Sequence, residues 1–216
     1  VQGDANGWAD VFIHDMVLGT TEIVSITTSG SQGNDNSFAA TCSDSGRFVS
    51  FVSYASNLVV GDTNNNPDIF VRDRIHRTLK RVSVSSSGEQ AVTFAESPWI
   101  SGDGRFVVFY SSASNLTPGL DGIWDDVFLH DLWTGQTSLV SSGMNGALTN
   151  ENSRNPAISR NGRFVSLESR ASNLIPGDTN GHYDIFVRDL VLGTTRRASV
   201  DNFGAEGDGR SYDGDA

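Results

Sequence analysis

The run over residues 46–73, GRFVSFVSYASNLVVGDTNNNPDIFVRD, constrains the fold most, because the chain repeats it. GRFVVFYS starts at Gly104 and GRFVSLES at Gly162, each 58 residues after the preceding copy. The closing DIFVRD at Asp68 returns as DVFLHD at Asp126 and DIFVRD at Asp184, and stands earlier as DVFIHD at Asp10. Such short segments rich in β-branched and aromatic residues read as strands. A fixed period of roughly 40–60 residues made of strands points to a propeller or an array rather than one ordinary core. One unit cannot bury its own apolar surface, so stacked neighbours must share a core.

Each unit reads as four strands. The first, near residues 38–43, turns at Asp44, Ser45 and Gly46 into Phe48–Ser53. A long loop over 55–67 leads to Asp68–Asp73, and a last strand runs over about 79–84. The next units start again from about Pro98 and Pro156. Phe48 and Val52 oppose Val49 and Phe51, and Ile69 and Val71 oppose Phe70, so these strands are apolar on both faces. A sheet of that kind must be covered on both sides, as a propeller blade is by its neighbours. The expected fold is therefore an all-β β-propeller of four-stranded blades, one domain over 1–216. The divisions fall at a partial blade 1–35, full blades at about 36–93, 94–151 and 152–209, and a partial blade 210–216.

The pattern PWISGDGRFVVFYS over 98–111, followed by DVFLHDLWTG over 126–135, resembles the repeat of TolB-like, WD-type β-propellers. The resemblance covers nearly the whole chain. It implies that the Pro-x-x-Ser segment is the innermost strand and the Asp-Gly pair the turn into the second. Ala40 stands in place of the proline, and Ser45 and Asn161 stand where Asp103 does. Asn and Ser form turns as readily, so the fold expectation is unchanged. The loop between second and third strands is usually short in that family; here it is long, and the chain's particular character is expected there.

Acidic residues exceed basic ones, 26 to 15, for a net charge of −11. That balance argues against a nucleic-acid or anionic-membrane partner and suits an extracellular or periplasmic, cell-envelope surface. No run of about 18 apolar residues spans a membrane. Cys42, the single cysteine, sits at an apolar strand position and is expected to be a small buried hydrophobe. The chain starts at Val1 within one unit and ends within another. It reads as a piece of a longer propeller, with head-to-tail self-association through half-blades as the alternative.

The long loop recurs as GDANGWAD, GDTNNNPD and GDTNGHYD. Alternating oxygen donors of this kind suit calcium, with Asp4, Asn6 and Asp10, then Asp62, Asn64 and Asp68, then Asp178, Asn180 and Asp184 as candidate ligands. The same residues also make Asx-turns without any metal. In the second unit the acid shifts to Asp121 and the Asn is missing. The ASNL runs at 55–58, 113–116 and 171–174 read as turns whose Asn bonds backbone and whose Leu plugs the loop. Asp15, Asp73, Asp131 and Asp189 end the third strand in every copy and read as turn caps. His14, Arg72, His130 and Arg188, one residue earlier, are expected to face solvent.

The sequence has no H-E-x-x-H, G-x-S-x-G or G-x-x-x-x-G-K motif. A non-enzymatic binding or scaffold module recognising protein or glycan is the first expectation. The alternatives are the propeller portion of a polysaccharide- or peptide-degrading enzyme and a self-assembling structural subunit.

Overall fold

A computed structural model describes residues 3–211. Strands β1 (Phe12–Asp15) and β2 (Thr20–Ile23) form a two-stranded sheet. Three four-stranded antiparallel sheets follow in sequence order. The first holds β3 (Ser37–Cys42), β4 (Phe48–Ser53), β5 (Asp68–Asp73) and β6 (Thr78–Arg81). The second holds β7 (Ala95–Ile100), β8 (Phe106–Ser111), β9 (Asp126–Asp131) and β10 (Thr137–Leu139). The third holds β11 (Ser153–Ile158), β12 (Phe164–Ser169), β13 (Asp184–Asp189) and β14 (Thr194–Arg197). Helix among the described residues is one 3-10 turn at Met144–Gly146. No helix there is long and apolar enough to cross a membrane. The unit expected over 210–216 falls almost wholly outside the described residues.

The inner strands begin three residues before Pro98 and Pro156, because each proline lies at a bulge inside its strand, a position that needs no N–H donor. β6 stops at Arg81 rather than near Val84, although Val82 N still donates to Ile69 O at 2.8 Å.

The two-faced strands bury both faces as expected. Val11 and Val24 of the half-blade pack on Val49, Phe51 and Phe70 of the first blade. The other face of that blade, with Val52, Ile69 and Val71, packs on Val107, Phe109 and Phe128 of the second. Val108, Val127 and Leu129 then meet Val165, Leu167 and Phe186 of the third. Blade contact is close at the inner turns. A Cβ on Gly104, whose φ is +74°, would lie 2.2 Å from Phe48 Cδ2.

Two expectations fail for the same reason. Arg72 and His130 are buried, since their side of the strand faces the preceding blade rather than solvent. Arg72 Nη1 donates to Ile26 O and Thr27 O at 3.3 Å, while His130 Nδ1 bonds Thr137 Oγ1 at 2.9 Å. Cys42 is exposed, because the half-blade it faces contributes only the two outer strands among the described residues.

The lower turns bear out the capping role. Asp73 Oδ1 accepts from Ile75 N and His76 N, and Asp189 Oδ1 from Val191 N and Leu192 N. Arginines from the adjoining turns add what the pattern did not show: Arg47 reaches Asp73, Arg105 reaches Asp131 and Arg163 reaches Asp189, each at 2.7 Å. The Arg105 guanidinium holds the Asp131 carboxyl down to about 2, and Arg163 does the same for Asp189. A carboxyl lowered on folding contributes stability that is complete above about pH 4 and disappears as pH falls toward about 2. Thermal melts should therefore lose stability steeply across that window, and less steeply in Asp131→Asn; a flat profile would contradict the pairing.

Candidate functional site

Two places hold chemistry-bearing residues: the long loops and the axial edge of the inner strands. In the loops the strand-opening acid is locked first. Asp68 Oδ1 accepts from Ser83 Oγ at 2.6 Å, and Ile69 N donates to the same hydroxyl at 3.1 Å. Ser25 with Asp10, Ser141 with Asp126 and Ser199 with Asp184 repeat the bond at 2.5, 2.8 and 2.6 Å. Asp126 keeps it although its loop has lost the acid-Asn pattern, so the lock belongs to the fold.

The asparagines are spent on turns. Asn64 Nδ2 donates to Ala91 O at 2.8 Å and its Oδ1 accepts from Asn66 N at 2.9 Å. Asn6 bonds Gly33 O and Trp8 N, and Asn180 bonds Gly207 O and His182 N, in the same way. Each ASNL asparagine also donates to backbone: Asn57 to Gln32 O, Asn115 to Gln90 O and Asn173 to Leu148 O.

Between the acids lies a cation supplied by the chain. Arg81 Nη1 is 3.3 Å from Asp68 Oδ2 and 3.6 Å from Asp62 Oδ1, and Gln90 Nε2 donates to both carboxylates at 2.8 and 2.9 Å. In the third blade Arg197 Nη1 meets Asp178, Asp184 and Glu206 at 3.6, 3.1 and 2.5 Å. Asp178, Asp184 and Glu206 have ligand atoms within 4.8 Å of one another, the one such trio among the described residues. A divalent ion bound to this trio would have to displace the guanidinium that contacts all three acids.

The sequence carried this signal unread. At steps of 58 residues, Asp62, Leu120 and Asp178 are matched by Arg81, Leu139 and Arg197, so in the three full blades acid and cation are kept or lost together. Leu120 and Leu139 pack on the core instead. In the N-terminal loop Ile23 takes the arginine's place, and Asp10 Oδ2 is buried without a partner. Asp178 Oδ2 is equally unpartnered, and burial pushes its pKa up. Removing the built-in cation should expose the site: Arg197→Ser is expected to gain several degrees of melting temperature from millimolar calcium and lose them to chelator. No calcium response in that variant would contradict this account of the third loop.

The axial edge is different. β3, β7 and β11 each bulge, and the bulge places a non-glycine residue in the left-handed region: Ala39 at φ 49°, Ser97 at 51° and Asn155 at 48°. Such residues cost about 1–3 kcal/mol each and persist where surroundings over-determine them. With Ala40, Thr41, Pro98, Trp99, Pro156 and Ala157 they line a groove of about 360 Å³. Trp99 is 46% exposed. Below the groove the three inner turns join: Asp44 N donates to Gly102 O, Gly102 N to Arg160 O, and Arg160 Nη2 sits 2.7 Å from Asp44 Oδ2. Above it stand the ring pairs Phe38–Tyr54 and Phe94–Tyr110. Tyr110 donates to Glu96 Oε2 at 2.8 Å and Arg154 Nη2 meets Asp125 Oδ2 at 2.5 Å, so both carboxylates are engaged. Burial, reinforced by Glu96, pushes the Tyr110 hydroxyl pKa up.

No protein-family model matches this sequence, and no curated protein matches it. Solved structures do. TolB from Acinetobacter baumannii superposes with a TM-score of 0.51 at 18% identity, over 87% of this chain and 37% of its own. A putative TolB from Agrobacterium tumefaciens gives 0.50 at 13% identity, over 85% of this chain and 52% of its own. The chain has a TolB-like propeller fold. A chain from a structural analysis of two prolyl endopeptidases gives 0.55 at 14% identity, over 91% of this chain and 27% of that one. Likeness at these identities concerns the fold alone. The chain spans only about a quarter to a half of the length of these propeller proteins.

Proposed function

We propose that this TolB-like propeller chain is a non-enzymatic binding module of the cell envelope or exterior, and that its axial groove takes an extended polypeptide segment. The observation that carries the reading is the left-handed residue kept at the same bulge in three successive blades. A bulge leaves residues out of the ladder and re-aims them. β3, β7 and β11 are edge strands of their sheets, so backbone groups on their outer sides can pair with an extended partner, apart from Ile100 N and Pro98 O, which Thr41 Oγ1 engages. Trp99 adds an exposed aromatic surface beside Pro98 and Pro156. The net charge of −11 favours a basic segment by long-range attraction.

Selection of random twelve-residue peptides against the chain, followed by anisotropy titration, tests this. Trp99→Ala is expected to weaken the selected peptides about thirtyfold, the loss typical of a central aromatic anchor. Selected peptides indifferent to Trp99→Ala, or a selection that enriches none, would overturn the groove assignment.

A further inference from the structure

The seams between blades repeat, so one position is seen three times in different dress. Where the half-blade meets the first blade, Arg74 Nη2 lies 2.9 Å from Glu22 Oε2 and the pair bridges the lower end of the seam. One unit later these positions are Lys80 and Leu132, and one unit after that Ser138 and Leu190. At the seam between first and second blades the anion's position thus carries a cation, and the cation's position is apolar. Among the described residues the Lys80 ammonium makes no hydrogen bond or ion pair, whereas its neighbour Arg47 is committed to Asp73 and Arg105 to Asp131.

Lys80 lines a cleft of about 210 Å³ with Phe48, Val71, Leu132 and Trp133. The rest of the lining is Thr78, Gly104 and the Arg47–Asp73 pair. Trp133 is particular to this seam; the other units have Val17, Ile75 and Val191 there. Its backbone N–H donates to Asp131 Oδ1 at 2.9 Å, and the Arg105 guanidinium lies 4.7 Å from the centroid of its ring, which is otherwise largely exposed. The volume is below the roughly 300–1,000 Å³ of pockets for drug-sized ligands, so the occupant is fragment-sized.

We propose that this cleft binds a small carboxylate carrying an aromatic or branched aliphatic body. The carboxylate meets the Lys80 ammonium, with the charges exchanged relative to the Glu22–Arg74 pair one seam earlier. The apolar body lies on Phe48, Val71, Leu132 and Trp133. Free organic acids and the last residue of a polypeptide both present this chemistry. The site is separate from the axial groove and does not depend on it.

The probes are 3-phenylpropionate, its alcohol 3-phenylpropan-1-ol, and acetyl-Gly-Gly-Phe with free or amidated C-terminus, titrated against the full chain by NMR and tryptophan fluorescence. At least one carboxylate probe is expected to saturate, shifting Leu132 methyl signals, with its neutral counterpart about tenfold weaker. Phenylpropionate alone assigns a free acid; the peptide acid alone assigns a polypeptide terminus. Lys80→Met should bring the acid down to the level of its neutral counterpart without moving the melting temperature. The pair Lys80→Glu with Leu132→Arg, copying Glu22 and Arg74, should abolish binding. Equal binding of acid and neutral probe, or no binding of any probe, would overturn the proposal.

Discussion

Phe128→Ala is expected to lower the unfolding free energy by about 3–5 kcal/mol, a large share of the roughly 5–15 kcal/mol typical of a folded domain. Phe128 is fully buried on β9 and stacks on Phe109 of the neighbouring strand with ring centroids 5.7 Å apart. Its ring lies in the seam, among Val52, Ile69 and Val71 of the first blade as well as residues of its own. The substitution therefore leaves a cavity and also weakens the contact between two repeats, the term that makes stacked units stable. Urea titration should show a lower midpoint. Ile123→Ala, at an exposed loop position, should change it by less than about 0.5 kcal/mol. A Phe128→Ala midpoint close to that of the parent chain would mean the blades do not share this core.

Ser83→Ala is expected to cost about 2–4 kcal/mol, because two buried groups lose their partner at once and each unsatisfied group costs about 1–3 kcal/mol. One is Oδ1 of the fully buried Asp68 carboxylate, whose pKa burial already pushes up and whose other oxygen keeps Gln90 and Arg81. The other is the Ile69 N–H. Ser141→Ala should cost less, because Asp126 Oδ1 keeps the Thr149 hydroxyl and mainly the Val127 N–H loses its partner. Ser138→Ala, on the exposed edge of β10, serves as the control and should be nearly silent. Equal stability of Ser83→Ala and Ser138→Ala would remove the lock from the account and return Asp68 to the pool of free loop carboxylates.

The blades were legible because a period of 58 residues, four strands per period and apolar residues on both strand faces each point to the same packing. Turn residues were legible for a local reason: Asp73 caps backbone two and three residues away, within reach of a pattern. Arg81 was not, because it lies 13 residues from Asp68 and becomes its neighbour only through the register of β5 on β6. Burial of His130 depends on which blade covers it, and exposure of Cys42 on how little does. The groove left almost no trace. Ala39, Ser97 and Asn155 share a conformation but no chemistry, and only Pro98 and Pro156 mark the bulge.

Placing a photo-crosslinking residue, p-benzoylphenylalanine, at Ala40 in the groove or at Gln136 on the lower turn tests the binding reading most directly. Both positions are exposed, and only Ala40 lines the groove. Irradiated with a selected peptide, the Ala40 variant should yield one crosslinked peptide adduct, competed by the unlabelled peptide, and the Gln136 variant none. Crosslinks from Gln136 alone, or from neither position while binding persists, would contradict an axial polypeptide site.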